Sequence, residues 1–106
     1  MAGRILENYC ISEIIKSYYN EGDNNPPLYY YRDKDKKEID LIIEKNQTLY
    51  PVEIKKHADP NLHDIKHFKV LEKFDNVKIG QGTVLSFLDD PKYITDNARN
   101  IPIAYL

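Results

Sequence analysis

The sequence contains a single cysteine, Cys10, and no tryptophan. One cysteine cannot form an intramolecular disulfide, and it rules out a metal site built from several thiolates. We therefore expect Cys10 to lie buried on a helix face as a small apolar side chain. No apolar run approaches the roughly 20 residues that a membrane helix needs, and no secretory signal is present. The sequence predicts a cytoplasmic protein with no membrane partner.

The sequence also lacks a strong excess of either charge. Fifteen basic and 17 acidic residues give a net charge of −2, which counts against a dedicated DNA-binding protein but leaves a local basic patch open. A length of 106 residues, 42% of them hydrophobic and 30% charged, is typical of one globular domain. We expect a single domain over residues 1–106.

The pattern of apolar residues predicts an α/β fold with the order α-β-β-β-α-β-β. Helices are expected over 4–20 and 61–74, and strands over 28–32, 38–44, 49–55, 77–79, 83–87 and 101–106. Short charged turns separate the first three strands, which indicates an antiparallel meander. The second helix then permits parallel pairing with the later strands. The expected architecture is a sandwich with one mixed sheet flanked by helices.

The stretch YPVEIKK at 50–56 places a carboxylate and an amine on one side of a strand. Side chains alternate along a strand, so Glu53 and Lys55 point the same way. Asp40 lies in the preceding strand, and a short turn would bring it close to Glu53 if both face one side. Two carboxylates near an oxygen-preferring cation would make a Mg²⁺ site, with Lys55 able to stabilise charge on a phosphate. The alternative is a solvated strand face with an incidental ion pair.

Glu7 extends this pattern to the first helix. It lies beside the apolar stripe of that helix rather than opposite it, at the border of the expected buried face. A carboxylate at that border can reach over the sheet edge into a site shared with Asp40 and Glu53. The three carboxylates are therefore the predicted metal ligands, and Asp40, Glu53 and Lys55 the predicted catalytic residues.

This arrangement resembles the PD-(D/E)XK nuclease-like superfamily. Its signature has a helix glutamate, a strand aspartate and a Glu-x-Lys in the next strand, which match Glu7, Asp40 and Glu53-Ile54-Lys55. The proline of the superfamily's Pro-Asp pair is absent, because Ile39 precedes Asp40. The chain more closely resembles the C-terminal domain that follows an AAA-type ATPase module in many prokaryotic proteins. The blocks that carry this likeness are GRILENY at 3–9, LYYYR at 28–32, EIDLI at 38–42, PVEIKK at 51–56 and IPIAYL at 101–106.

The resemblance implies a restriction-endonuclease-like fold, a Mg²⁺ or Mn²⁺ site, and an N-terminal ATPase partner in a longer protein. Three functional hypotheses remain open. The first is a metal-dependent nuclease or DNA-processing module in which Lys55 assists the attacking water. The second is a non-catalytic domain that docks onto an ATPase module or another protein. The third, a small-molecule enzyme, has no distinctive motif to support it.

Other polar residues of the second predicted helix have simpler interpretations. His63 and His67 are four residues apart, as zinc ligands can be, but no third ligand stands at a suitable spacing. We interpret them as part of a solvated helix face. Lys66, Lys69 and Lys73 would lie beside them, either as a stripe facing phosphates or as a charged outer face.

Overall fold

The computed structural model describes residues 2–106, and its centre is one mixed sheet. The elements are α1 (Ala2–Asn20), β1 (Leu28–Arg32), β2 (Glu38–Lys45), β3 (Thr48–Ile54), the 3₁₀ helices η1 (Leu62–Ile65) and η2 (Phe68–Lys73), β4 (Lys78–Ile79), β5 (Gly82–Ser86), β6 (Lys92–Thr95), β7 (Ala98–Pro102) and the 3₁₀ helix η3 (Ile103–Tyr105). The strand order is β1-β2-β3-β5-β7-β6, and β4 also pairs with β3. The predicted α/β fold with one mixed sheet is confirmed.

The strand pairing changes from antiparallel to parallel at β3. The strands β1, β2 and β3 form the predicted antiparallel meander. The strand β5 then pairs parallel with β3, and β7 pairs parallel with β5. The chain between β3 and β5 contains η1 and η2, so this crossover permits the parallel pairing expected from the sequence.

The helix α1 covers one face of the sheet. Leu6, Cys10 and Ile14 are four residues apart, and they pack on a core that includes Leu41 and Val52. Cys10 is fully buried, as predicted. The helix ends before Gly22, whose φ of 89° lies in the left-handed region that glycine adopts without steric cost.

The predicted α-helix over 61–74 is wrong, because the segment forms η1 and η2 instead. Five of its six apolar residues, Leu62, Ile65, Phe68, Leu71 and Phe74, recur at a spacing of three, and the sixth is Val70. Three residues per turn is the period of a 3₁₀ helix, in which side chains three apart line up on one side. An α-helix would need a mixture of spacings of three and four to keep the same side buried.

The second core lies on the face covered by η1 and η2. It contains Phe68 and Leu71 of η2 together with Ile39 and Ile42 of β2. The Phe68 ring lies directly on Gly82, where an added Cβ atom would come within 2.5 Å of the ring. The absence of a side chain at Gly82 therefore lets the 3₁₀ segment lie close against β5.

A β-bulge in β2 changes which side chains face this core. The β1–β2 register shifts between Tyr29 and Tyr31, which pair with Ile42 and Ile39 respectively. Tyr30 of β1 is thus opposite two residues of β2, Asp40 and Leu41, so β2 contains one extra residue. Ile39 and Ile42 consequently pack in the same core, although they are three residues apart. The extra residue falls at Asp40 or Leu41.

The C-terminal region also differs from the prediction. The strand expected over 101–106 is wrong: β7 ends at Pro102, and η3 follows it. The hairpin strand β6 pairs antiparallel with β7 and was not predicted. None of the helices formed by residues 2–106 combines the length and the apolar character required to cross a membrane.

Ile39→Ala is expected to lower the free energy of unfolding by about 2–5 kcal/mol, because it removes a fully buried side chain from the second core. Ile5→Ala is the matched control, since Ile5 is 68% exposed on α1, and its effect should stay within about 0.5 kcal/mol. Chemical denaturation measures both. Equal effects of the two substitutions would contradict the burial of Ile39 in the second core.

Candidate functional site

A polar pocket of about 240 Å³ lies between the sheet and the 3₁₀ segment. Its lining side chains are all polar or charged: Lys36, Glu38, Asp40, Glu53, Lys55, His63, Asp64, Lys66 and His67. Asp40, Glu53 and Lys55, the predicted catalytic residues, are thus brought together in one pocket. Titratable groups that converge in a concave site make it a candidate catalytic or binding site.

The pocket exists because β2 separates from β3. The paired register of the two strands ends at Leu41 and Val52. Beyond this point β2 remains paired with β1 but not with β3. The backbone N–H of Ile54 instead donates a hydrogen bond to Asp40 Oδ2 at 2.8 Å. The Asp40 carboxylate thus accepts from an amide of β3 that lies two residues beyond the last paired residue, Val52. The bulge and the hydrogen bond together hold Asp40 at the mouth of the opening between the strands.

Glu53 is held at the base of the pocket. Its backbone pairs with Val84 of β5, and its side chain is only 9% exposed. Glu53 Oε2 lies 3.7 Å from Lys55 Nζ, within ion-pair distance when Glu53 is ionised. Glu53 Oε1 is buried and has no hydrogen-bond partner among the described residues. A buried carboxylate oxygen without a hydrogen bond costs free energy in the folded protein, most of all when the group is ionised.

The surroundings of Glu53 favour its neutral form. Burial and, after it, the negative charge of Asp40 together raise the pKa of Glu53 to about 8, although Lys55 acts in the opposite direction. A strongly perturbed carboxyl group in a polar pocket is typical of a functional site. This electrostatic coupling of Asp40, Glu53 and Lys55 agrees with their position in one pocket.

Glu7 of α1 lies at the border of the site. It is half-buried and does not line the pocket. Burial raises the pKa of Glu7, and the negative charges of Asp40 and Glu38 add to that rise, while Arg4 and Lys55 lower it. Glu7 is therefore close enough for charged groups of the pocket to shift its pKa, as expected from its place beside the apolar stripe.

The 3₁₀ segment forms the opposite wall of the pocket. His63 and His67 were interpreted as a solvated helix face, but both line the pocket. His67 Nδ1 donates to the backbone carbonyl of Glu38 at 3.3 Å, which ties η2 to the start of β2. Lys66 Nζ donates to His63 Nε2 at 3.2 Å. Lys69 and Lys73, the other residues of the predicted lysine stripe, do not line the pocket.

Asp64 was missed by the sequence interpretation, and its role is structural. Its side chain is 4% exposed; Oδ1 accepts from His57 Nε2 at 3.2 Å and Oδ2 accepts from Asn61 N at 3.1 Å. The Asn61 side chain accepts from His63 N in return. Asn61-x-x-Asp64 is therefore a capping box, a pattern that is visible in the sequence and fixes the start of η1.

A cation fits the donor set of the pocket, although the structure does not assemble a complete ligand cluster. Among residues 2–106, no group of three or more histidine, cysteine, aspartate or glutamate side chains is arranged to hold a metal ion. Mg²⁺, however, binds through one or two carboxylates and keeps several waters. Asp40 and the unpaired Oε1 of Glu53 meet that requirement. Mg²⁺ or Mn²⁺ binding stays a prediction.

Comparison with known proteins gives one match. The family model described as "Domain of unknown function (DUF4143)" matches residues 2–106. The searches of curated proteins and of solved structures gave no match. The match therefore covers the whole pocket but assigns no chemistry to it.

The buried Glu53 should make stability depend on pH. Because its folded-state pKa is raised to about 8 from 4.5, stability should fall as the pH rises from about 5 to 8 and the buried group loses its proton. Glu53→Gln should remove this decline and be more stable than the wild type at pH 8, by a few kcal/mol, with little advantage near pH 4. Denaturation curves across this pH range measure the effect. Glu72→Gln, at an exposed carboxylate outside the pocket, is the control; a wild-type decline that persists in Glu53→Gln would contradict this assignment.

Proposed function

The chain belongs to the DUF4143 family, and because the description of that family assigns no function, we propose one from the pocket. The proposed function is metal-dependent hydrolysis of phosphodiesters by a nuclease-like domain of the PD-(D/E)XK type. The observation that carries this proposal is the buried Glu53 carboxylate, which has one unpaired oxygen and lies beside Asp40 and Lys55. A purely structural site has no need of this arrangement, because pairing or replacing Glu53 would remove its cost.

In this proposal Asp40 and Glu53 hold the divalent cation, and Glu7 contributes from the edge of the site. A bound divalent cation supplies Lewis-acid polarisation of a phosphate oxygen. Asp40 is already oriented by the Ile54 amide, so little reorganisation of its side chain is needed. The pairing of Glu53 with β5 likewise holds its backbone in place.

Lys55 is the cationic group of the proposed mechanism. Its side chain is 35% exposed, and its ammonium group contacts Glu53 Oε2 from the pocket. With a cation held by Asp40 and Glu53, the Lys55 ammonium group would no longer be needed to balance the charge of Glu53 and would be available to a substrate. It can then orient the attacking water or donate a hydrogen bond to the charge that develops on the phosphate.

A second candidate function is docking onto a partner, of which an N-terminal AAA-type ATPase module is the one we propose. The observation that favours it lies away from the polar pocket. The edge strand β1 exposes Tyr29 and Tyr30, which are 54% and 60% exposed and line a largely apolar pocket of about 390 Å³ with Phe74. An exposed aromatic surface of this kind is typical of protein contacts.

Mn²⁺ should bind the wild-type protein, and the heat of binding should be lost in Asp40→Asn and in Glu53→Gln, since each removes a proposed ligand charge. Isothermal titration calorimetry measures this difference. Asp35→Asn is the matched control, because Asp35 is an exposed carboxylate in the turn before β2. An identical Mn²⁺ response in the wild type and both pocket variants would contradict the proposed cation site.

Cleavage of plasmid and single-stranded DNA in the presence of Mn²⁺ tests the reaction itself. Asp40→Ala and Lys55→Ala are each expected to lower the rate by about a hundredfold or more, as expected when a group that acts on the reacting atoms is lost. Lys56→Ala, at the exposed neighbouring lysine, should retain the wild-type rate.

Three outcomes of the cleavage assay lead to different conclusions. Loss of activity in Asp40→Ala and Lys55→Ala but not in Lys56→Ala supports hydrolysis at this pocket. Activity that survives both pocket substitutions comes from a contaminating nuclease and counts against the proposal. No activity in any of the proteins favours the docking function.

A further inference from the structure

Lys36 occupies a backbone conformation that lysine rarely adopts. Its φ of 63° lies in the left-handed region, which favours glycine and asparagine. The turn around it is held by Asp33, whose Oδ1 accepts from Asp35 N and Lys37 N. The Lys36 side chain lines the polar pocket. A strained residue that places a charged group in a candidate site is a reason to look for a function of that group.

Lys66 brings a second ammonium group to the same pocket from η1's C-terminal side. His63 Nε2 accepts a hydrogen bond from Lys66 Nζ at 3.2 Å, which holds the ammonium group at the rim. Within residues 2–106, the ion pairs involve Lys16, Arg32, Lys55 and His57, so neither Lys36 nor Lys66 is paired with a carboxylate. Both cations are therefore available to an anionic ligand.

The two lysines reach the pocket from separate parts of the chain. Lys36 comes from the β1–β2 turn, and Lys66 comes from the segment between η1 and η2. The acidic residues Asp40 and Glu53 belong to β2 and β3 and line the pocket with them. A ligand that contacts both the carboxylates and the lysines would have one phosphate next to the proposed cation at Asp40 and Glu53. It would carry further negative charge next to Lys36 and Lys66.

We propose that Lys36 and Lys66 form a cationic rim that holds the phosphates flanking the scissile one, so that the substrate is a nucleic-acid strand rather than a small phosphodiester. The proposal rests on the proposed function for the scissile phosphate. A mononucleotide or other small diester presents no flanking phosphates, and the rim would add nothing to its binding. A strand presents them on both sides of the cleaved bond.

The test measures binding of a fluorescein-labelled 20-nucleotide strand by anisotropy in Ca²⁺, with a gel to verify that the strand stays intact. The variants are Lys36→Gly and Lys66→Gln. Gln47→Gly controls the first, since Gln47 also has a positive φ of 62° but lies outside the pocket. Lys69→Gln controls the second, because Lys69 is an exposed lysine of the same segment outside the pocket.

Each rim variant is expected to weaken binding by roughly fivefold or more, while the two controls stay within about twofold of the wild type. The slope of the logarithm of the binding constant against the logarithm of the salt concentration should become shallower by about 0.7 for each lost phosphate contact. Glycine accepts the positive φ at both turn positions, so the melting temperatures of Lys36→Gly and Gln47→Gly should not fall. Equal weakening by the rim variants and their controls would overturn the proposal. Failure of the wild type to bind the strand at low salt would overturn it as well.

Hydrolysis of bis(p-nitrophenyl) phosphate with Mn²⁺ separates this inference from the proposed function. If the rim acts on flanking phosphates, the rim variants lose a clearly larger fraction of their activity on the strand than on this small diester. Rim variants that cleave both substrates like the wild type would overturn the rim while leaving hydrolysis intact. Strand binding that depends on the rim, without hydrolysis of either substrate, would support the rim and contradict the proposed reaction.

Discussion

The separation of β2 from β3 is the feature on which the candidate site depends. If the two strands stayed paired beyond Leu41 and Val52, Ile54 N would donate within a regular ladder and no opening would form. The Asp40 side chain accepts from that amide instead, at 2.8 Å. One carboxylate therefore satisfies the strand end and stands at the mouth of the pocket. The position of Asp40 is set by the backbone, not by long-range attraction between charged side chains.

The 3₁₀ segment gives the pocket its second wall. Side chains three residues apart point to the same side of a 3₁₀ helix, so Ile65, Phe68 and Leu71 can all face the sheet. The residues between them then face elsewhere, and His63, Lys66 and His67 line the pocket. The Asn61–Asp64 capping box fixes the start of this segment, and the close contact of Phe68 with Gly82 holds its middle against β5. Its compactness brings the basic side chains near the acidic ones.

Much of the fold was predictable because it follows from local patterns. The helix α1 and the three meander strands are marked by apolar periodicity and by turns, and their order limits the sheet to a few arrangements. The bulge was not predictable, because regular alternation places Ile39 and Ile42 on opposite sides, whereas both face the second core. The spacing of three that runs from Leu62 to Phe74 was visible in the sequence, but Val70 beside Leu71 also suits the mixed spacing of an α-helix, so the sequence did not predict the 3₁₀ segment.

The candidate site was predictable only where its residues follow a known chemical pattern. Asp40, Glu53 and Lys55 were found because their spacing resembles a nuclease signature, and the structure brings them into one pocket. Lys36 and Lys66 were missed in that role or left ambiguous, since a lysine in a charged turn or on a helix normally faces water. Their role emerges only when the fold places the β1–β2 turn opposite the 3₁₀ segment.

Two features of the pocket cost folding stability and are not explained by the fold alone. Glu53 is buried beside a second carboxylate with one oxygen unpaired, and Lys36 adopts a backbone conformation that favours glycine. Each arrangement costs stability, and neither is needed to build the sheet, whose cores lie on either side of it. Local violations of folding preferences are expected where function constrains the chain. Here Glu53 and Lys36 belong to separate elements but line one pocket. A divalent cation bound there would offset the repulsion between the carboxylates. The negatively charged phosphates of a ligand would offset the unpaired charge of the lysines.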